Sequence, residues 1–240
     1  MSQVRLFILT GAGISAESGL GTFRDKDGLW TRYNLAEVAS LDGYRRNPQR
    51  VLDFYNARRA NLDGASPNPA HHALVRLQRA FHAAGNGCFL CTQNVDDLHE
   101  QAGAVDVAHM HGELRKKRCG ACDAISPCEE DINLTAACDR CGRAGALRPH
   151  IVWFGEMPLH LDQIYQHLEL ADVFIAIGTS GAVYPAAGFV EEARAHGIKT
   201  AELNLEPSDN AYLFDERRYG LASVIVPQWV DEMIAALPGG

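Results

Sequence analysis

No stretch of this chain is apolar for long enough to span a bilayer, and Leu6-Phe7-Ile8-Leu9 is too short for the core of a secretion signal. There is no excess of basic charge either. With 22 Lys+Arg against 30 Asp+Glu the net charge is -8, whereas a non-specific nucleic-acid binder needs a basic surface to displace phosphate counterions. Low-complexity segments and internal repeats are missing, so neither a disordered tail nor a solenoid is expected. The first apolar run starts so near Met1 that a transit peptide is not expected, and the cytoplasm is the expected compartment. There, seven cysteines read as thiols or metal ligands rather than disulfides. Neither nucleic acid nor membrane is expected as a partner. The oligomeric state is not written in the sequence, and a monomer is the working expectation.

What remains is an ordinary globular composition, 47% apolar and 22% charged, over 240 residues: one large domain with room for a small satellite. Short apolar runs at residues 4–9, 88–92, 105–110, 173–177, 200–205 and 224–226 read as strands. Helical patterns lie between many of them. Asn68-Pro69 supplies a cap and a first-turn proline, Ala70, Leu74, Leu77 and Phe81 form an apolar stripe, and Gly85 ends the helix. Residues 185–196 and 228–237 predict two more. Alternation of this kind predicts an α/β fold with a parallel sheet covered on both faces. Two stretches break the rhythm. Residues 25–67 show helices and loop, and residues 113–147 are polar and cysteine-rich. Both read as insertions that form a small domain beside a large one built from residues 1–24, 68–112 and 148–240, with a ligand cleft between.

Gly11-Ala12-Gly13-Ile14-Ser15-Ala16 follows the first strand, is predicted to open a helix, and fits G-x-G-x-x-[G/A]. In that motif glycines let backbone N–H groups approach a pyrophosphate at a helix N-terminus. The alternative is a tight strand-to-helix turn with no ligand. The acidic residue that a dehydrogenase carries about 20 positions on, to hold the ribose, is absent from Thr22-Phe23-Arg24-Asp25-Lys26-Asp27-Gly28-Leu29-Trp30. A pyrophosphate site survives this test, and an ordinary hydride-transfer enzyme does not.

Cys119 and Cys122, then Cys138 and Cys141, are two C-x2-C pairs at the spacing of a four-thiolate zinc ribbon. Gly120 and Gly142 permit the tight knuckles. Four thiolates fill a tetrahedral shell, so the Zn2+ is expected to be structural. Redox pairs or free thiols are the alternative. Cys88 and Cys91 share the spacing, but on a strand they point to opposite faces and read as core.

Taken in order, Gly11-Ala12-Gly13-Ile14-Ser15, Thr22-Phe23-Arg24, Thr92-Gln93-Asn94-Val95-Asp96, His111-Gly112, the cysteine quartet, Val152-Trp153-Phe154-Gly155-Glu156, Gly178-Thr179-Ser180 and Asn204-Leu205-Glu206 resemble the sirtuins over essentially the whole chain. The resemblance implies a Rossmann-like large domain, and a small domain made of a zinc ribbon and a helical insert. It implies NAD as co-substrate, acylated lysines of proteins as partners, and nicotinamide and O-acyl-ADP-ribose as products. It places the glycine loop and Gly178-Thr179-Ser180 near the phosphates, and Gln93, Asn94, Val95 and Asp96 near the ribose and nicotinamide. Phe23 and Arg24 fall on a covering loop, with Thr22 and Trp30 beside them. Asn204, Leu205 and Glu206 fall near the adenosine half, and Ala222 is counted with the cofactor residues. Acyl-lysine is implied to add as a strand on Phe154, Gly155 and Glu156, a mode that tolerates many sequences.

That chemistry needs a base, and histidine suits it near neutrality. His109 and His111 share one face at the end of a strand, and residue chemistry alone leaves both open. The His-Gly pair matches the family's catalytic position, which implies His111.

Asn47-Pro48 starts a predicted helix over residues 48–62 with Val51, Tyr55, Arg58 and Leu62 on one face. One reading has Tyr55 in the core and Arg58 in solvent. The surrounding Phe54-Tyr55-Asn56-Ala57-Arg58-Arg59 resembles the sirtuins that accept succinyl- and malonyl-lysine, which implies that Tyr55 and Arg58 bind a distal carboxylate. Thr22, where many deacetylase sirtuins have Asp, departs in the same direction. Arg59 points about 100° away and ranks second. The reading is therefore a deacylase for acetyl and dicarboxylic acyl groups. A sirtuin that mainly transfers ADP-ribose to protein, and a catalytically silent NAD sensor or interaction module, stand as alternatives.

Overall fold

A computed structural model describes residues 3–21 and 34–237. Its centre is a parallel sheet of six strands, β1 (Arg5–Thr10), β2 (Gly87–Thr92), β3 (Ala108–His109), β7 (Val173–Ile177), β8 (Lys199–Asn204) and β9 (Glu216–Tyr219), in the order β3-β2-β1-β7-β8-β9. The pleat of β1 divides the core in two. Leu6 and Ile8 enter one cluster with the helices α4 (Pro69–Ala83) and α8 (Ala222–Ala235). Phe7 and Leu9 enter the other, with α6 (Leu161–Glu169) and α7 (Phe189–Ala195). Leu6 to Leu9 are buried on both faces of the sheet and are accordingly all apolar. Asn68 caps α4 by accepting from Ala70 N–H while His71 reaches back to the Asn68 amide, and Gly85 leaves the helix at φ 73°.

The insertions form a second unit of packing. Helices α1 (Leu35–Val38), α2 (Leu41–Arg46) and α3 (Pro48–Ala60) lie against an antiparallel sheet, β5-β4-β6, made of β4 (Gly112–Cys119), β5 (Ile125–Pro127) and β6 (Leu147–Ile151). Two clusters join them. Val51, Phe54, Tyr55 and Leu62 meet Leu114, Ile151 and Trp153, and Leu52 meets the cysteine ribbon. Arg59 is the buried arginine of α3. Its Nε donates to Leu114 O at 2.9 Å and its guanidinium to Asn56 Oδ1 and Glu130 O, tying helix to ribbon.

Several expected elements are corrected. Residues 224–226 are not a strand but the first turns of α8, which starts at Ala222 and contains Pro227. Packing on α4, with Ile225, Val226, Trp229 and Val230 buried, outweighs the β-branched composition. The glycine motif opens two single 3-10 turns, Ala12–Ile14 and Ala16–Ser18, rather than an α-helix. The strand over 105–110 shrinks to Ala108–His109, behind Asp106 at φ 54°. Strands β4 and β9 carry too many charges to stand out as apolar runs. Among the described residues no helix is long and apolar enough to cross a membrane.

Candidate active site

In this strand order the chain reverses direction across the sheet between β1 and β7, and a crevice opens there beyond the carboxyl ends of the strands. It leads into a cleft of about 1030 Å³ lined by the glycine loop, the 178–180 loop, residues 93–96, His111, Tyr55, Arg58 and residues 151–156. Segments far apart in sequence therefore meet at one place.

The glycines act by closeness of backbone. Gly11 N–H donates to Ile177 O and Gly13 N–H to Gly178 O, both at 2.9 Å. A Cβ on Gly13 would sit 2.7 Å from Gly178 Cα. Their amides are thus spent on the β7 loop rather than left for a phosphate, and no side chain fits between the two loops.

Behind this contact lies a buried polar network. Thr10 Oγ1 meets Thr92 Oγ1 at 2.8 Å and His99 Nε2 at 2.9 Å. Asn94 Nδ2 donates to Gly11 O and Ser15 Oγ, and the Ser15 hydroxyl lies 3.4 Å from His71 Nε2. Burial, with His72 adding to it, pulls His71 down to about 4, and burial holds His99 well below the usual imidazole range. Both rings are neutral near pH 7. Asp96 accepts from Leu98 N–H, and burial raises its carboxyl above the ordinary range.

His111 and His109 are separated by their partners. His111 Nδ1 lies 3.1 Å from Gln93 O, so it carries the proton, and no described residue bonds Nε2 on the cleft side. Burial lowers its pKa, with the Gln93 bond opposing. A neutral imidazole with a bare nitrogen is the form a general base requires. His109 is 4% exposed and does not line the cleft. Its Nε2 meets Glu100 Oε1 at 2.8 Å and its Nδ1 meets Asn94 O at 3.2 Å.

Tyr55 and Arg58 both face the cleft. Tyr55 is buried against Phe54 and Trp153, with ring centroids 5.1 and 6.2 Å apart, and burial pushes its hydroxyl up to about 12. The guanidinium of Arg58 lies 5.8 Å from the Tyr55 ring centre. Burial lowers its pKa, but the residue stays a cation, since even a shifted guanidinium remains protonated at pH 7.

Residues 154–156 form one rim. Phe154 N–H donates to Ala39 O and Glu156 N–H closes a turn on Trp153 O, so two of the three amides are taken within the chain. The Glu156 side chain turns inward. It forms a bidentate pair with Arg148 at 2.8 Å and accepts from Trp153 N–H, while Arg148 lies 3.4 Å over the Trp153 ring. On the opposite side Asn204 Nδ2 holds Thr179 O at 2.7 Å, and Ser180, Leu205, Glu206 and Ala222 line the wall.

Four cysteines converge in the ribbon. The sulfurs of Cys119, Cys122, Cys138 and Cys141 lie within 4.8 Å of one another, and the pairs Cys119–Cys141 and Cys122–Cys138 are 3.8 Å apart. Thiolates placed about 2.3 Å from a tetrahedral centre stand about 3.8 Å from each other, so the donor set fits such an ion. Cys88 and Cys91 pack into opposite core clusters, as expected of a strand. Thr22, Phe23, Arg24 and Trp30 lie outside the described residues.

The Sir2 family model matches residues 11–185. The chain belongs to the Sir2 family. An NAD-dependent protein deacylase of Caulobacter vibrioides is 60% identical over 98% of each chain. A crystal structure of a Sir2 homolog–NAD complex superposes with a TM-score of 0.87 at 40% identity, over 97% of this chain and 90% of that one. A Sir2 bound to acetylated peptide matches at TM-score 0.80 and 26% identity, over 95% and 93%. Sequence reading passed over Glu17, which accepts from both Ser223 N–H and Oγ and pins the start of α8 to the glycine loop. It also passed over Arg148, the partner of Glu156. The available signal was a charged residue set between Leu147 and Pro149 in a run that ends on Ile151, all of it buried in β6.

Proposed function

We propose that this chain is an NAD-dependent deacylase of protein lysines that accepts dicarboxylic acyl groups, succinyl and malonyl, as well as acetyl, and releases nicotinamide and O-acyl-ADP-ribose. The observation that carries the acyl preference is that one cleft holds Tyr55 and Arg58 together with His111. A carboxylate on the acyl group would meet a planar guanidinium and a hydroxyl that burial keeps protonated, a pairing worth more than either contact in water. NAD, as co-substrate, supplies the ribose carbon that takes the acyl oxygen. Asn94, Ser15, Gln93 and Asp96 would orient its ribose and amide, with Gly178-Thr179-Ser180 and the glycine loop near the phosphates and Asn204-Leu205-Glu206 and Ala222 toward the adenosine. In the same reading Thr22, Phe23, Arg24 and Trp30 would cover it. His111 takes the hydroxyl proton at Nε2 while Gln93 O holds its other nitrogen.

The peptide would lie along Phe154 and Gly155, with Glu156 holding that rim from behind through Arg148. Zinc in the Cys119, Cys122, Cys138 and Cys141 site would be structural, with no open position for water. The division into a large domain (1–24, 68–112, 148–240) and a small one (25–67, 113–147), with the cleft between, belongs to the same reading.

The test is kcat/KM on acetyl- and succinyl-peptides of one sequence. Arg58→Ala should cost succinyl turnover roughly 1.5–3 kcal/mol and acetyl turnover far less, with Tyr55→Phe reproducing part of the selectivity. His111→Ala should lower both by about 10²–10⁴. Equal losses on both peptides in Arg58→Ala would leave a deacetylase without the carboxylate preference.

A further inference from the structure

The two histidines at the end of β3 grip neighbouring peptide groups of the segment that carries Gln93, Asn94 and Asp96. His111 Nδ1 meets Gln93 O and His109 Nδ1 meets Asn94 O. They differ at the second nitrogen. In His111 it is bare, whereas in His109 it meets the Glu100 carboxylate at 2.8 Å. A ring facing a carbonyl on one side and a carboxylate on the other has only acceptors around it. A neutral imidazole donates to one of them and sets its lone pair against the other, while an imidazolium donates to both.

We propose that His109 is a positioning residue for the deacylase, an imidazolium pinned by Glu100 that fixes the Asn94 carbonyl and so aims the Asn94 and Asp96 side chains at the co-substrate. This rests on the assignment of Asn94 and Asp96 to the NAD site. Asn94 is the joint of the device. Its carbonyl is held from behind by His109, and its amide holds the glycine loop through Gly11 O and Ser15 Oγ. Asp96, two residues on, is favoured in its charged form by the nearby His109 cation.

The titratable groups facing His109 are Glu100 and His99 on α5 (Leu98–Gln101), Asp96 on the adjoining turn and Glu113 on β4. Burial opposes the charge, but the hydrogen bond and charge of Glu100, followed by Glu113 and the Asn94 carbonyl, raise the pKa above the ordinary value. The charged form is therefore held more firmly than in an ordinary imidazole, and it is lost as pH rises through the raised value.

The experiment has two readouts on the whole chain. In ¹⁵N-histidine spectra at pH 7 both ring nitrogens of His109 should carry protons, the signal being assigned by its shift in Glu100→Gln. A bare nitrogen at pH 7 overturns the proposal. In steady-state kinetics on an acetyl-peptide, Glu100→Gln should raise KM for NAD roughly tenfold at pH 7 with a smaller change in kcat. It should also move the alkaline rise of that KM down by about one unit or more. An unchanged pH profile of KM, or losses in kcat alone, overturns it as well. If wild type consumed no NAD, the assigned activity would fail, while the spectra would still report whether His109 is doubly protonated.

Discussion

The six-stranded sheet and the cysteine ribbon are held by different forces. In the sheet, β1 is buried on both sides and Phe7 is surrounded by the rings of Phe89, Phe174 and Phe189, so loss of water from apolar surface sustains the structure. In the ribbon, β4 reads Gly-Glu-Leu-Arg-Lys-Lys-Arg-Cys, and only Gly112, Leu114 and Cys119 of it are buried. A strand with so little apolar area is not stable alone; it leans on the small clusters shared with α3 and on the four cysteines, whose sulfurs converge at one point. One region is stabilised from a large apolar interior, the other by small clusters around a knot of four sulfurs.

The sharpest way to break this contrast is Cys119→Ser. Structural zinc is worth about 10–16 kcal/mol in small zinc-binding peptides, and an incomplete thiolate shell forfeits much of that. Metal content should fall, and amide exchange should rise across β4–β6 while β1 stays protected. Equal exchange in both regions would show one cooperative unit instead. Phe7→Ala tests the other half. Truncating that ring should cost about 3–5 kcal/mol and lower Tm, with metal content per chain unchanged. Loss of metal in this variant would mean that the ribbon depends on the sheet.

The third effect is smaller and depends on pH. His71 is neutral in the fold, at about 4, against about 6.5 unfolded, so the unfolded chain binds the extra proton. Stability is therefore present above pH 6.5 and is lost as pH falls toward 4, by about 2 kcal/mol between pH 7 and pH 5. Denaturant titrations should show that slope, and His71→Gln should flatten it. A slope the same in both would place the acid sensitivity elsewhere.

Legibility in the sequence followed the same divide. Strands β1, β2, β7 and β8 are apolar runs and were visible. So was α4, whose cap, stripe and terminal glycine agree. The charged strands β4 and β9 were invisible because their pairing is made by backbone, which leaves no pattern in side chains. Residues 224–226 misled because β-branched composition records local preference, while the neighbouring α4 decides the state. At the site, residue types and order found the cysteines and the two histidines, but only partners separate His111 from His109. Arg58 and Arg59 are adjacent in sequence. One faces the cleft and the other holds Leu114 and Glu130, a difference set by the helical turn and confirmed by contacts far away in the chain.

The placement of β1 between β2 and β7 also sets an order on synthesis. The glycine loop leaves the ribosome early, yet the backbone it rests on, Ile177 and Gly178, emerges after the whole cysteine ribbon. Domains fold as their parts become available. A nascent chain that stops before Val173 has β1, β2 and β3 to pair, together with every ribbon cysteine, but only one wall of the crevice between β1 and β7. The four cysteines are thus complete in the growing chain well before the crevice is, and a ligand of the crevice cannot act as a template for the earlier half.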